Sequence, residues 1–231
     1  ALGSYSLTTD TLGSKSVAVG HGSLATQNFT TATNSYNTAV GYVAGNLITT
    51  GITNTLIGGL AGDALTDADE NVAVGSYSLT ADTLGSKSTA VGHGTLATQN
   101  FTTATDSLNT AIGYVAGNAI TTGTGNTLIG AYAGDALTTG FSNVALGRNA
   151  LSTEDTGRKN VAIGFSALET QNSDADNLNT AVGFYAGSAV TTGIQNVLVG
   201  GLARDALTDA DHNIALGTNA LGSDTKGSRS V

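Results

Sequence analysis

Five residues, Asn37-Thr38-Ala39-Val40-Gly41, return in close variants along the whole chain at an almost constant interval. Aligned on the final glycine, the copies end at Gly3, Gly20, Gly41, Gly58, Gly75, Gly92, Gly113, Gly130, Gly147, Gly164, Gly183, Gly200 and Gly217, 17 residues apart except for two intervals of 21 and one of 19. A period this short is the length of one coil, not of a domain. One coil cannot bury its apolar side alone and must stack on its neighbours, so the expected fold is all-β, a parallel β-solenoid of thirteen coils. The intervals repeat in fours, which defines super-repeats at 1–72, 73–144 and 145–216 with a partial copy at 217–231. Blocks such as Ala25 to Thr33 recur unchanged as Ala97 to Thr105, and equal sequence at equal phase implies equal surroundings. A single array over 1–231 is expected, with no internal linker and with both ends falling inside a coil, as in a piece of a longer fibre.

The three residues before each glycine, as in Val17-Ala18-Val19 or Thr127-Leu128-Ile129, are too few and too β-branched for a helix and read as a short strand. Strand side chains alternate, so the first and third positions share one face and the middle one takes the other. Both faces are apolar. An isolated coil that turned the middle position to water would expose Leu56, Leu128 and Leu198, so burial on both sides, by the coil and by another chain, is expected. The segment after the glycine, as in Gly41-Tyr42-Val43-Ala44-Gly45, reads as a second short strand, giving two strands and two turns per coil. Composition agrees with a narrow core of small side chains: the 231 residues include 32 Gly and no Pro, Trp, Met or Cys, and 40% are hydrophobic but only 5% aromatic.

Four places before the glycine stands Asn37, Asn54, Asn71, Asn109, Asn126, Asn143, Asn160, Asn179, Asn196 or Asn213, with Ser16 and Ser88 in two other coils. Asn at a stacked turn tolerates strained backbone angles and can bond its amide to the coils above and below, so a structural ladder is expected there. The longer coils carry their extra residues in Gln27-Asn28-Phe29, its copy Gln99-Asn100-Phe101, and Gln171-Asn172. Insertions in a solenoid map to loops on one side. Recurring once per four coils, these loops are the candidate surface-binding elements, suited to multivalent contact with a glycan or protein receptor; the plainer alternative is that Phe29 and Phe101 tuck back over a coil.

Chemistry has few parts to work with. Eight cations against 17 anions, for a net charge of −9, include no basic cluster beyond Arg158-Lys159, which argues against nucleic acid. No apolar run is long enough to insert this segment in a membrane as a helix. No Ser, His and Asp recur together as a nucleophilic triad, so no enzymatic activity and no catalytic residue is expected. His21 and His93 share one repeat position and could form a ring or hold a metal across a symmetry axis, but a solvated turn is the plainer reading. Acidic turns at Asp67-Ala68-Asp69-Glu70, Asp174-Ala175-Asp176 and Asp209-Ala210-Asp211 could offer oxygens to Ca²⁺, yet they lack the remainder of an EF-hand loop; solvated charge is favoured, and no cofactor or metal is expected.

Runs such as Asn71-Val72-Ala73-Val74-Gly75-Ser76-Tyr77-Ser78-Leu79 and Asn160-Val161-Ala162-Ile163-Gly164-Phe165-Ser166-Ala167-Leu168 resemble the head repeats of YadA-type trimeric autotransporter adhesins. The resemblance covers the whole chain. It implies a left-handed parallel β-roll, a side-by-side homotrimer and an extracellular location. The variant Asn-Thr-Ala-Val-Gly-Tyr-x-Ala-Gly, at Asn37 to Gly45 and Asn109 to Gly117, departs from the adhesin pattern, and the coil is longer. That variant resembles bacteriophage tail-fibre repeats. The expected function is a structural and adhesive trimeric fibre on a virion or a cell surface, presenting loops to a host. Alternatives are an adhesin head, a purely scaffolding filament and, from the Thr pairs at Thr49-Thr50, Thr121-Thr122 and Thr191-Thr192, an ice-binding solenoid.

Overall fold

The computed structural model describes residues 1–203, 206, 208–222 and 227–231. Contacts divide the chain into two units, Ala1–Val115 and Ala116–Val231. Among the described residues of the first unit the strands are β1 (Gly13–Ser14), β2 (Val17–Val19), β3 (Thr33–Asn34), β4 (Thr38–Val40), β5 (Thr55–Ile57), β6 (Val72–Val74), β7 (Gly85–Ser86), β8 (Thr89–Val91), β9 (Thr105–Asp106) and β10 (Thr110–Ile112). Those of the second are β11 (Thr127–Ile129), β12 (Val144–Leu146), β13 (Val161–Ile163), β14 (Thr180–Val182), β15 (Val197–Val199) and β16 (Ile214–Leu216).

The three-residue strands form a parallel sheet in each unit, one per coil. In the first, β2, β4, β5, β6, β8 and β10 pair in that order, and in the second β11 to β16 pair consecutively. Register is strict: Ala39 lies against Leu56 and Ala162 against Ala181, so equal repeat positions always meet. This is a parallel β-solenoid with turns about 17 residues apart, as the interval predicts.

The middle strand residue faces inward. Ala39, Leu56, Ala73, Leu128, Ala162 and Leu198 are all fully buried, whereas the flanking positions stay partly accessible. The Leu residues weighed above as outward-pointing therefore lie in the core, and the outward face is the β-branched one.

The inner coils complete their core with an Ala, Ser or, at Thr95, a Thr three places after the glycine and a Leu, Ile or Val beyond it, such as Ala44 with Ile48 or Ala167 with Leu168. Large and small residues interlock. A Cβ on Gly62 would come within 2.8 Å of both Leu56 Cδ2 and Leu65 Cδ1, so Gly62 is the hollow into which the larger strand residue fits.

Among the described residues the expected second strand is absent: the segment after the motif glycine is a run of turns. Its residues include left-handed ones, with φ of 49° at Val43 and 58° at Gly45, so the chain cannot extend. Its N–H groups still bond between coils, Val43 N to His21 O at 2.8 Å and Gly45 N to Ala61 O at 3.0 Å, which satisfies the backbone without a regular strand.

Candidate interaction surfaces

The Asn ladder is buried, and it is structural. Asn54 Nδ2 donates to Ala68 O at 2.7 Å, and Asn54 Oδ1 accepts the backbone N–H of Asn71 at 2.9 Å. Asn71, Asn143, Asn179 and Asn196 repeat the arrangement, each Nδ2 reaching a carbonyl 14 residues ahead. An Asn at this place supplies one donor and one acceptor to two coils. The strained backbone lies one residue earlier, with φ of 52° at Tyr36, 61° at Thr53 and 59° at Glu70.

Gln27, Gln99 and Gln171 belong to the same ladder and not to a surface loop; all three are fully buried. Where the ladder Asn is replaced by the shorter Ser88, Gln99 Nε2 reaches the Ser88 hydroxyl at 2.9 Å and its Oε1 accepts from Asn109 Nδ2 at 2.9 Å. Gln27 joins Ser16 to Asn37 in the same way, and Gln171 joins Asn160 to Asn179.

Phe29 and Phe101 likewise turn inward and are only 5% exposed. A Cβ on Gly85 would lie 2.8 Å from Phe101 Cδ2, which places that ring over the glycine of the preceding coil. The insertion is laid back on the solenoid through two short parallel ladders, β1 with β3 and β7 with β9, and in the third super-repeat through a bridge between Arg158 and Asp176. Lys87 to Asp106 at 2.6 Å and Lys159 to Asp176 at 2.6 Å pin its outer rim. Asn28, Asn100 and Asn172 remain exposed, with Thr30 and Thr31 in the first segment and Thr102 and Thr103 in the second. The insertions are thus polar shelves of amides and hydroxyls, with no aromatic side chain presented.

The outward face of the sheet in each unit also has no partner in the single chain. It carries Val, Thr or Ile at the first strand position and Val, Ile or Leu at the third, with no charged residue in any three-residue strand. Val17, Ile57, Leu146 and Val197 on it are 39–49% exposed. Beside it run rows of rings: His21 lies between Tyr5 and Tyr42 at centroid distances of 5.5 and 5.6 Å, and His93 between Tyr77 and Tyr114 at 5.8 and 5.6 Å. Ring contacts of this kind add about 0.5–1.5 kcal/mol per pair between coils.

The acidic turns are tied to neighbouring coils. Asp69 and Asp211 accept the N–H groups of Ile52 and Ile194 at 2.7 and 2.8 Å, and Asp67 accepts the Thr50 hydroxyl. Asp174 accepts the Thr156 hydroxyl at 2.5 Å. Burial raises the Asp63 and Asp135 carboxyls above the ordinary carboxylate range, whereas the Lys159 ammonium beside Asp176 lowers that one. Among the described residues no three His, Asp or Glu converge on a point that could hold a metal. No protein family, no characterised protein and no solved structure matches this chain.

Proposed function

We propose that this chain is a segment of a structural and adhesive fibre in which three copies lie side by side, displayed outside the cell on a virion, as in a phage tail fibre, or on a cell surface, as in a trimeric adhesin head. The observation that carries the reading is the outward sheet face. A chain of net charge −9 repels its own copies over most of its surface. The β-branched face is the long strip from which charge is missing, and burying it against the same strip of another copy removes apolar area from water at about 25 cal/mol per Å². The resemblance to adhesin-head and tail-fibre repeats supplies the number three and the left hand. In this reading the polar shelves bearing Asn28, Asn100 and Asn172 meet a host glycan or protein, weakly at each shelf and more firmly in sum. No catalytic step is assigned.

Light scattering on the purified chain tests it: three times the 22.8 kDa chain mass is expected, and a stable monomer overturns it. One observation favours a second reading. The first outward position is β-branched in every three-residue strand described, as Thr at Thr38, Thr55, Thr89, Thr110, Thr127 and Thr180, so a row of Thr with Val and Ile faces out. Thermal hysteresis from a monomeric chain would move the assignment to ice binding.

A further inference from the structure

The insertion segments hold consecutive side chains alternately in and out. Gln27 and Phe29 are buried, as are Gln99 and Phe101, so the residue between each pair, Asn28 or Asn100, is turned to solvent. Its amide is oriented as well as exposed. Asn28 Oδ1 accepts the Thr11 hydroxyl of the preceding coil at 3.3 Å, and Asn100 Oδ1 accepts the Thr83 hydroxyl at 3.0 Å. With the oxygen tied to the coil, Nδ2 is the atom that faces out, and among the described residues nothing accepts from it.

The sequence around these amides is Asn28-Phe29-Thr30 and Asn100-Phe101-Thr102. An Asn two places before a Ser or Thr, with any residue but Pro between them, is the acceptor pattern for N-linked sugar, and it belongs on an irregular surface segment. The chain holds 19 Asn, and only these two have the pattern. The fold gives a reason for the ten ladder Asn: two places on stands Ala or Leu, because that place is the inward strand residue, as in Asn37-Thr38-Ala39. In the insertions the same place points outward. Thr30 and Thr102 are exposed, lie outside any strand, and among the described residues neither hydroxyl has a partner. The third shelf differs, since Asn172-Ser173-Asp174 presents its Asn but puts a carboxylate where the hydroxyl would stand.

We propose that Asn28 and Asn100 are acceptor sites for N-linked glycosylation, so that the first unit bears two covalent sugars four coils, or about 19 Å, apart. In the transfer, Asn Nδ2 bonds to the anomeric carbon of a sugar held on a pyrophosphate. The bond from that carbon to the pyrophosphate oxygen breaks, the pyrophosphate leaves with the electron pair, and the amide proton passes to a base on the transferase. A lipid or a nucleotide carries the pyrophosphate. The buried Gln and Phe and the tied Oδ1 lie on the inward side, so the sugar joins the shelf without displacing a contact of the solenoid. The consequence for recognition rests on the exported fibre proposed above: the first two shelves meet a partner through sugar, and the third through a bare amide.

Two assays on the intact chain test the sites, both read by intact mass and peptide mapping. In one the chain is secreted from eukaryotic cells, whose donor is carried on a lipid. In the other the folded chain is mixed with UDP-glucose and a soluble Asn-glucosyltransferase, whose donor is carried on a nucleotide. Sugar on both Asn is expected in at least one arm, and the arm that gives it identifies the carrier. Asn28→Gln and Asn100→Gln should each lose one sugar with the circular dichroism spectrum unchanged, because both amides are exposed. Thr30→Ala leaves the Asn28 amide in place and should lose the same sugar as Asn28→Gln. A chain bare in both arms, or sugar retained when both Asn are replaced, overturns the proposal. Light scattering reports the number of copies separately, so a glycosylated monomer overturns the fibre and keeps the sites, whereas a bare trimer does the reverse.

Discussion

The ladder position shows how one residue type can be read from sequence for its place and misread for its strain. Ten Asn residues at one phase mark a stacked turn, and their amides do run from coil to coil. The left-handed backbone, though, belongs to the residue before, whose identity ranges over Tyr36, Thr53, Glu70 and Lys87 and so leaves no pattern. Two outcomes follow at this scale. Asn71→Ala orphans the Ser88 N–H and the Gly85 carbonyl that its amide serves at 2.9 Å each, a loss of about 2–5 kcal/mol measurable by denaturant unfolding. Thr53→Gly acts in the other direction. Thr53 is exposed and β-branched at φ 61°, and the same phase of the next super-repeat carries Gly125 at φ 65°. Relief of the left-handed strain, less the backbone entropy of a glycine, should stabilise by about 0.5–1 kcal/mol, and a lower unfolding midpoint would show that the strain is absent.

At the scale of the element, the insertions are legible in length and phase but not in direction. Interval counting finds the extra residues, and nothing local in Gln27-Asn28-Phe29 says which side chain turns in. The decision rests with distant partners: Gln99 bridges Ser88 to Asn109 across the lengthened coil, as Gln171 bridges Asn160 to Asn179, and Phe101 covers a coil where Gly85 leaves room. Ser88 and Gly85 lie more than ten residues from the groups they attract, beyond the reach of a periodicity argument. Phe101→Ala is therefore expected to behave as a core truncation, costing about 3–5 kcal/mol. Asn100→Ala, one residue away and exposed, should stay within about 0.5 kcal/mol. Equal, small effects at the two positions would mean that the segment is a free loop after all. The rim pairs Lys87 with Asp106 and Lys159 with Asp176 add little by comparison, since exposed ion pairs contribute about 0–1 kcal/mol and weaken with salt.

For the whole molecule, the alternation along Val72-Ala73-Val74 and its copies marks two apolar faces in the sequence itself, yet alternation alone does not say which one the coil keeps. The middle position is the inside one, where Ala73 and most of its equivalents are small and the larger Leu56 is accommodated by the hollow at Gly62. The broader Val, Ile and Thr side chains are left outside, and the outward strip is consequently more apolar than a strip of middle-position alanines would be. This makes the proposed association testable apart from folding. Val74 and Val91 are paired neighbours on that strip, half-accessible in the single chain, so an aspartate at each removes little packing within a coil. Val74→Asp with Val91→Asp should therefore leave the circular dichroism spectrum and coil stacking nearly unchanged. It should also lower the scattering mass from three chains toward the 22.8 kDa of one, because like charges would then face each other across every interface between copies. A variant that keeps its full mass would place the contact on another surface, and one that loses mass and secondary structure together would show that coils and copies are held by a single cooperative core.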